Sequence, residues 1–339
     1  MTKSELVPRK LLCQNEGMLE NTELKSLSQI STAKGLTALA LDWLGIILLF
    51  AVAAKWPHVW VYLLCAVMMG RQQLGLAIMM HDGAHKRIIK SSFWNEYIGQ
   101  FFTAAPLFFS MFSYRTLHLK HHRDPLVADD PDLSLIGGYP ISKSSFLRKL
   151  LRDLCGVSYF KFIRYFIYMA RGGNKKAKAQ AAAIASQTMG NDQIIQALGG
   201  QAQIPQEKMS LGMIFFSMIF MNLLIWATLL FFGHGWLYLL WFLPMMTILQ
   251  VLLRIRGVAE HAGYGPNKDQ RRNARTVLNP LQTYFFAPHG VFYHIEHHLY
   301  PSIPFYNLPE AHRLLRERKS LPEENIFDGY GAVLKQILK

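Results

Sequence analysis

The sequence predicts an all-α integral membrane protein, with four transmembrane helices in two hairpins and a cytosolic helical cap. Three observations predict it. Of 339 residues, 51% are hydrophobic and only 17% charged. The apolar residues are bunched into runs of about 20, long enough to cross a bilayer. These runs come in pairs joined by very short turns, and nearly all of the 36 Lys and Arg residues lie outside the pairs.

Residues 1–35 form a polar arm that carries Lys3, Arg9, Lys10, Lys25 and Lys34. No short apolar stretch with a small-residue cleavage site precedes the first span, so no cleaved leader is expected. Residues 36–80 are the first hairpin: a run from about Leu36 to Trp56, a turn at Lys55-Trp56-Pro57-His58, and a return run from about Val59 to Met80. Residues 81–209 are a cytosolic and interfacial segment, ending in a polar insert, 171–209, rich in Gly, Ala, Gln and Lys. That composition reads as a solvated helix or linker. Residues 210–253 are the second hairpin, about Leu211–Phe232 and Trp236–Leu253 around the turn Gly233-His234-Gly235. Residues 254–339 are a polar C-terminal part.

By the positive-inside rule, the three basic segments face the cytoplasm, and both termini with them. The expected location is a multi-pass position in a bacterial inner membrane. The net charge of +14 follows from the same rule and implies no nucleic-acid partner. Its natural partners are anionic lipid headgroups or an acidic protein. Cys13, Cys65 and Cys155 show no pairing pattern, which argues against a disulfide framework and against a Cys-ligated zinc or iron–sulfur site.

The thirteen histidines are not scattered. Tyr293-His294-Ile295-Glu296-His297-His298 packs three imidazoles into five residues, and His118-Leu119-Lys120-His121-His122 repeats the pattern. His81-Asp82-Gly83-Ala84-His85 has the i, i+4 spacing. On a helix, each set shares one face. Imidazole is a favoured ligand of zinc, iron, copper and nickel.

If the clusters share a site, they lie on one side of the membrane. The Phe-rich stretch 93–113, with Pro106 inside, then cannot be a full crossing. It reads as an interfacial helix or a re-entrant hairpin. Its aromatics, Phe101–Phe112, read as core or lipid contacts in preference to an acyl tunnel. Arg71 interrupts the second run and Arg254 ends the fourth. One reading buries Arg71 against Asp42. The preferred reading has both arginines snorkel at the cytoplasmic boundary while their helices continue. His81 and His261 would then stand roughly 10–15 Å above the boundary, which makes His261 a ninth candidate.

The candidate ligands are thus His81, His85, His118, His121, His122, His261, His294, His297 and His298. Nine imidazoles are too many for one tetrahedral zinc. Two six-coordinate ions would use nine and leave room for oxygen or water. Iron fits best, because it accepts imidazole, changes oxidation state and binds dioxygen. The expectation is a histidine-rich dinuclear centre of two iron ions (Fe2+) in the cap, activating oxygen against a hydrophobic substrate. Ligating histidines are usually held by acids on their second nitrogen; Asp82, Asp124, Asp129, Asp130, Asp132, Glu260 and Glu296 are placed for that. His58 and His234 lie in turns on the far side, and His289 and His312 read as structural.

HxxxH, HxxHH and HxxHH, in this order around four spans, resemble the membrane fatty acid desaturase family over about residues 40–315. The tail with Arg275-Thr276, Asn279-Pro280, Pro301, Ile303-Pro304 and Asn307-Leu308-Pro309 is similar to bacterial members. The resemblance implies a membrane stem with a cytosolic cap, with the cluster histidines and His261 as metal ligands. It implies a reaction in which dioxygen and two irons remove hydrogens from adjacent acyl carbons, leaving a cis double bond and water. No HPGG haem motif is present, so electrons are expected from a separate donor, a ferredoxin or similar. The first cluster is not the HxxxxH of the stearoyl-CoA type, and the third does not begin with the Gln of front-end members. An acyl-lipid chain is the expected substrate.

Two rivals stand beside this reading. A hydroxylase or oxygenase of a lipid, a carotenoid or a small amino-acid-derived molecule would use the same scaffold. A non-enzymatic metal-handling membrane protein would place its metal inside the spans, whereas here the clusters fall outside the apolar runs.

Overall fold

Span-length helices form where apolar residues run on and a capping group waits at the start. The computed structural model describes residues 17–128, 130–161 and 209–339. After a short helix α1 (Asn21–Leu27), Ser31 caps α2 (Thr32–Lys55), and His58 caps α3 (Val59–Ala84). The second pair is α7 (Leu211–Phe231), capped by Ser210, and a fourth span, Gly235–His261. Between the pairs lie α4 (Ser92–Gly99), α5 (Met111–Arg123) and α6 (Lys143–Leu154).

The fourth span is broken at Thr247 into α8 (Tyr238–Met246) and α9 (Ile248–His261). Pro244, which has no N–H to donate, lies one turn before the break. The buried Gln73 amide reaches across from α3 to the Trp241 carbonyl, at 2.6 Å.

Among the described residues, four helices are long and apolar enough to cross a membrane. Leu41, Ile47, Leu48, Ile219, Phe220 and Leu223 point outward, exposed. In water such bands would be an aggregation surface; in lipid they are the expected exterior. The second span is the central one: 67% of its apolar window is buried, against 28% and 33% for the first and third. Close approach needs glycine here. A Cβ on Gly75 would stand 2.7 Å from Asp42 Oδ1.

The Phe-rich stretch is not a span. α4 passes into a π turn (Gln100–Ala104) and a 3-10 turn (Ala105–Leu107). The chain reverses at Phe108, in the left-handed region at φ 53°, and returns as α5. The carbonyls this irregular backbone leaves open are met by three spans. Trp43 Nε1 donates to Phe102 (3.0 Å), Asn222 Nδ2 to Ala105 (3.1 Å) and Trp241 Nε1 to Pro106 (3.2 Å). Non-helical backbone beside lipid is tolerated where protein satisfies it in this way. Phe101, Phe108 and Phe112 pack on Ile214, Met218 and Met221, so they serve as core.

The cap closes over one end of the bundle. Its C-terminal part contains α10 (Pro280–Phe286), α11 (His294–Leu299), α12 (Leu308–Glu317) and α13 (Tyr330–Ile337). A parallel pair, β1 (Thr276–Val277) with β2 (Ile326–Phe327), ties them together. Leu19 and Leu24, in and beside α1, pack with Ile295, Ile303, Leu308 and Leu315. The end of the polar arm is therefore part of the cap, and the first span begins at Thr32, before the expected start at Leu36. Most of the insert, residues 171–208, lies outside the described residues.

The snorkelling reading of the two arginines is overturned. Arg71 is buried, with Nη1 3.7 Å from Asp42 Oδ1, Nε donating to the Tyr284 carbonyl, and its plane over the Tyr284 ring. Arg254 is buried against Asp153 of α6, with Nη2 to Oδ1 at 3.2 Å. The physical reason is that the Tyr284 segment covers Arg71 midway along α3, and α6 covers Arg254. A guanidinium so covered needs a partner in place of water.

Arg254→Met, which strands the Asp153 carboxylate, is expected to cost about 3–5 kcal/mol, whereas replacing both partners with apolar residues should be near neutral. Thermal unfolding of the detergent-solubilised protein measures both, and equal losses would contradict the pairing.

Candidate metal centre

Each histidine cluster sits where a helix ends under the cap. His81 lies in the last turn of α3 and His85 is its C-cap. His118, His121 and His122 lie on the C-terminal half of α5. His261 is the last residue of α9, and α11 is little more than the third cluster itself. The two inter-span turns, with His58 and His234, cap the opposite ends of the spans. At about 1.5 Å per residue, the 26-residue α3 separates its ends by roughly 39 Å.

The nine rings converge in two adjacent groups. His81, His85, His118, His122 and His297 offer one set of nitrogens within 4.8 Å of one another. His121, His261 and His298 offer another, and His261 shares a third set with His294 and Glu260. The two groups touch: the His122 and His298 rings stack at 4.2 Å. All but the half-buried His85 are buried.

Hydrogen bonds at the backs of the rings fix which nitrogens face inward. His121 Nδ1 donates to Asp130 at 2.9 Å, since a carboxylate only accepts. His261 Nδ1 donates to the Asn273 carbonyl at 2.8 Å. His81 Nδ1 lies 3.1 Å from Asp82 Oδ1. A neutral imidazole has one N–H, so these three present bare Nε2 atoms to the centre. Yet His121 Nε2 and His261 Nε2 are 3.2 Å apart. Two lone pairs at that distance require something positive between them. A proton would answer for one such pair, not for a cluster of nine.

The Nε2 atoms of His81, His85 and His298 are likewise buried without a hydrogen-bond partner. Each such atom costs roughly 1–3 kcal/mol if left unmet. A cation satisfies all of them together. Five imidazoles about one point exceed the four donors of a closed zinc site and fit an ion of higher coordination number.

The acids differ in what they hold. Asp130 also accepts from the backbone N–H of Leu126 (2.7 Å) and Asp132 (2.9 Å). Burial opposes its charge, but these bonds and His121 outweigh burial and draw its pKa below the ordinary value. Asp132 lies 3.7 Å from His121 Nδ1. Burial alone would lower the His121 pKa; Asp130 and Asp132 reverse that, and the net shift is upward. Asp124 pairs with Arg123 instead of a ligand, and Asp129 lies outside the described residues. Glu296 is fully buried, accepting from Thr276 Oγ1 (2.7 Å) and facing His312 Nδ1 (2.5 Å). His312, read from sequence as merely structural, thus anchors the third cluster. His289 Nε2 meets Asp42 Oδ2 at 2.7 Å and joins the cap to the first span. No local motif signals either contact.

The remaining rings are held in the neutral form. Burial first, and neighbouring imidazoles second, push the pKa values of His118, His122, His294, His297 and His298 well below the usual histidine range. Beside the third cluster opens a cavity of about 560 Å³ whose walls include Arg71, Tyr284, His289, Phe292, Tyr293 and His312.

The sequence model of the fatty acid desaturase family matches residues 54–327, and the chain belongs to that family. It is similar to the dihydrorhizobitoxine desaturase of Bradyrhizobium elkanii, 26% identical over 267 residues, which is 75% of this chain and 68% of the relative. The protein is therefore a membrane oxidoreductase of the desaturase type.

Two outcomes are expected. Asp130→Asn, which loosens the His121 ring, should weaken metal binding about 10–100-fold in a metal titration. In the metal-free chain, the depressed histidines bind protons more readily when unfolded. Stability should fall as pH drops through about 6.5, the unfolded value. Thermal midpoints at pH 7.5 and 5.5 test this, and a flat profile would contradict it.

Proposed function

We propose that the protein is an acyl-lipid desaturase that uses dioxygen and an external electron donor at a centre of two iron ions. The observation that carries the reading is the meeting of three distant histidine clusters and His261 at two adjacent points. When bound, iron supplies the one-electron and oxygen chemistry that side chains lack. The chain does the rest. His81, His85, His118, His122 and His297 hold one position, and His121, His261, His294 and His298 the other. Asp82, Asp130 and the Asn273 carbonyl keep the His81, His121 and His261 rings in the tautomer with Nε2 bare. Glu296, locked by Thr276 and His312, sets the pitch of α11. Burial keeps water from the centre.

The cavity beside Tyr293 is the room for substrate, and its mixed lining suits a chain with a polar end. The centre lies at the ends of the helices away from the short turns, which supports a cytoplasmic position for it and for both termini. A ferredoxin or similar acidic protein is the proposed reductant, attracted by the positive charge of the cap. The rival metal-handling reading calls for metal among the spans, and the histidines are at their ends. A second reading is the same desaturation on a non-acyl compound. It is favoured by the relative, which is named for dihydrorhizobitoxine and not for a fatty acid.

Expression in a host of defined lipid composition, followed by mass spectrometry, is the test. Acyl chains lacking two hydrogens support the proposal. Chains that gain one oxygen would replace it with a hydroxylase, and unchanged lipids would favour the non-acyl reading. Purified protein should hold two irons per chain, and His297→Ala, which removes one donor of the five-histidine set, should lower the iron content and abolish activity.

A further inference from the structure

The two metal positions are unequally furnished: five imidazoles meet at one, while at the other His121, His261 and His298 meet, and His294 joins through His261 together with Glu260. We propose that Glu260 makes up the difference as a direct oxygen donor to the second position, beside His121, His261, His294 and His298. This rests on the metal-centre reading above.

Glu260 stands apart from the other acids. Asp82, Asp130 and Glu296 each face the Nδ1 of a histidine, behind or away from the inward nitrogens. Glu260 is on the other side. Its Oε2 lies 3.6 Å from His294 Nε2, the same nitrogen that faces the bare His261 Nε2 at 2.8 Å. A separation of 3.6 Å is too long for a hydrogen bond. It is what two donors show when each is about 2.1 Å from a shared ion, since atoms so placed stand roughly 3–4 Å apart.

The carboxylate is also aimed. Arg256, one turn earlier on α9, donates through Nε to Oε1 at 2.7 Å, which turns Oε2 toward the histidines. The Arg275 N–H grips the Glu260 carbonyl at 2.9 Å and fixes the end of the helix. Glu260 is itself buried, so without a cation at Oε2 one side of its charge would face imidazoles alone. A hard oxygen donor at one position and none at the other makes the two ions chemically distinct.

The full-length protein, purified in detergent and loaded anaerobically with 57Fe2+, tests this by iron content and Mössbauer spectroscopy. Wild type should bind two irons with two ferrous signals. Glu260→Gln should alter only one signal and weaken that ion at least about tenfold. Arg256→Gln, which removes the ion pair but keeps the donor, should retain two irons. His297→Ala should disturb the other signal. Two irons with both signals unchanged in Glu260→Gln would overturn the proposal and leave the centre intact. A wild-type protein that takes up no iron would sink the centre itself, and Glu260 with it. Should Glu260→Gln not fold, Glu260→Asp decides between the two: one shifted signal supports a donor, and none rejects it.

Discussion

Imidazole nitrogens brought together with their lone pairs pointing inward repel unless a cation lies among them. Much else in this protein follows from that constraint. The rings cannot simply be left to rotate, so the outer nitrogens of His81, His121 and His261 are tied to Asp82, Asp130 and the Asn273 carbonyl. Those ties need rigid supports, and helix ends provide them. The spans are then less a container than a set of posts. α3 and α9 rise from opposite hairpins and place His81 and His261 within the same cap.

The same logic explains where polar groups are tolerated beside the membrane. Arg71, Asp42 and His289 form one buried chain of contacts; Arg254 and Asp153 form another. Each joins a span to the cap or to α6. Buried ion pairs contribute little net stability against apolar replacements, but breaking one is costly. Their value here is positional. They hold the cap in register over the posts, and a small displacement of the cap would pull the third cluster away from the first two.

What could be read from the sequence was what is local. A histidine at i, i+3 or i+4 declares its own face, so eight candidate ligands were legible from spacing. His261 has no motif and emerged only from comparing how far two helices continue past their arginines. The stretch 93–113 looked like a span by composition. Only the requirement that the clusters share one side exposed it as a re-entrant turn, and the structure shows that turn held by Trp43, Asn222 and Trp241. What stayed hidden was non-local or made of backbone: the Asn273 carbonyl, the grip of His312 on Glu296, and the meeting of His289 with Asp42. The snorkelling reading of Arg71 and Arg254 failed for the same reason. Hydropathy sees a charge near a boundary, but not the cap that folds down and removes its water.

Whether nine histidines make one centre of two positions can be seen directly. Anomalous scattering or cryo-EM density from the iron-loaded protein should show two adjacent peaks. One would lie among His81, His85, His118, His122 and His297, and the other against His121, His261, His294 and His298. A single peak, or ions lodged between the spans with the clusters bare, would contradict the account.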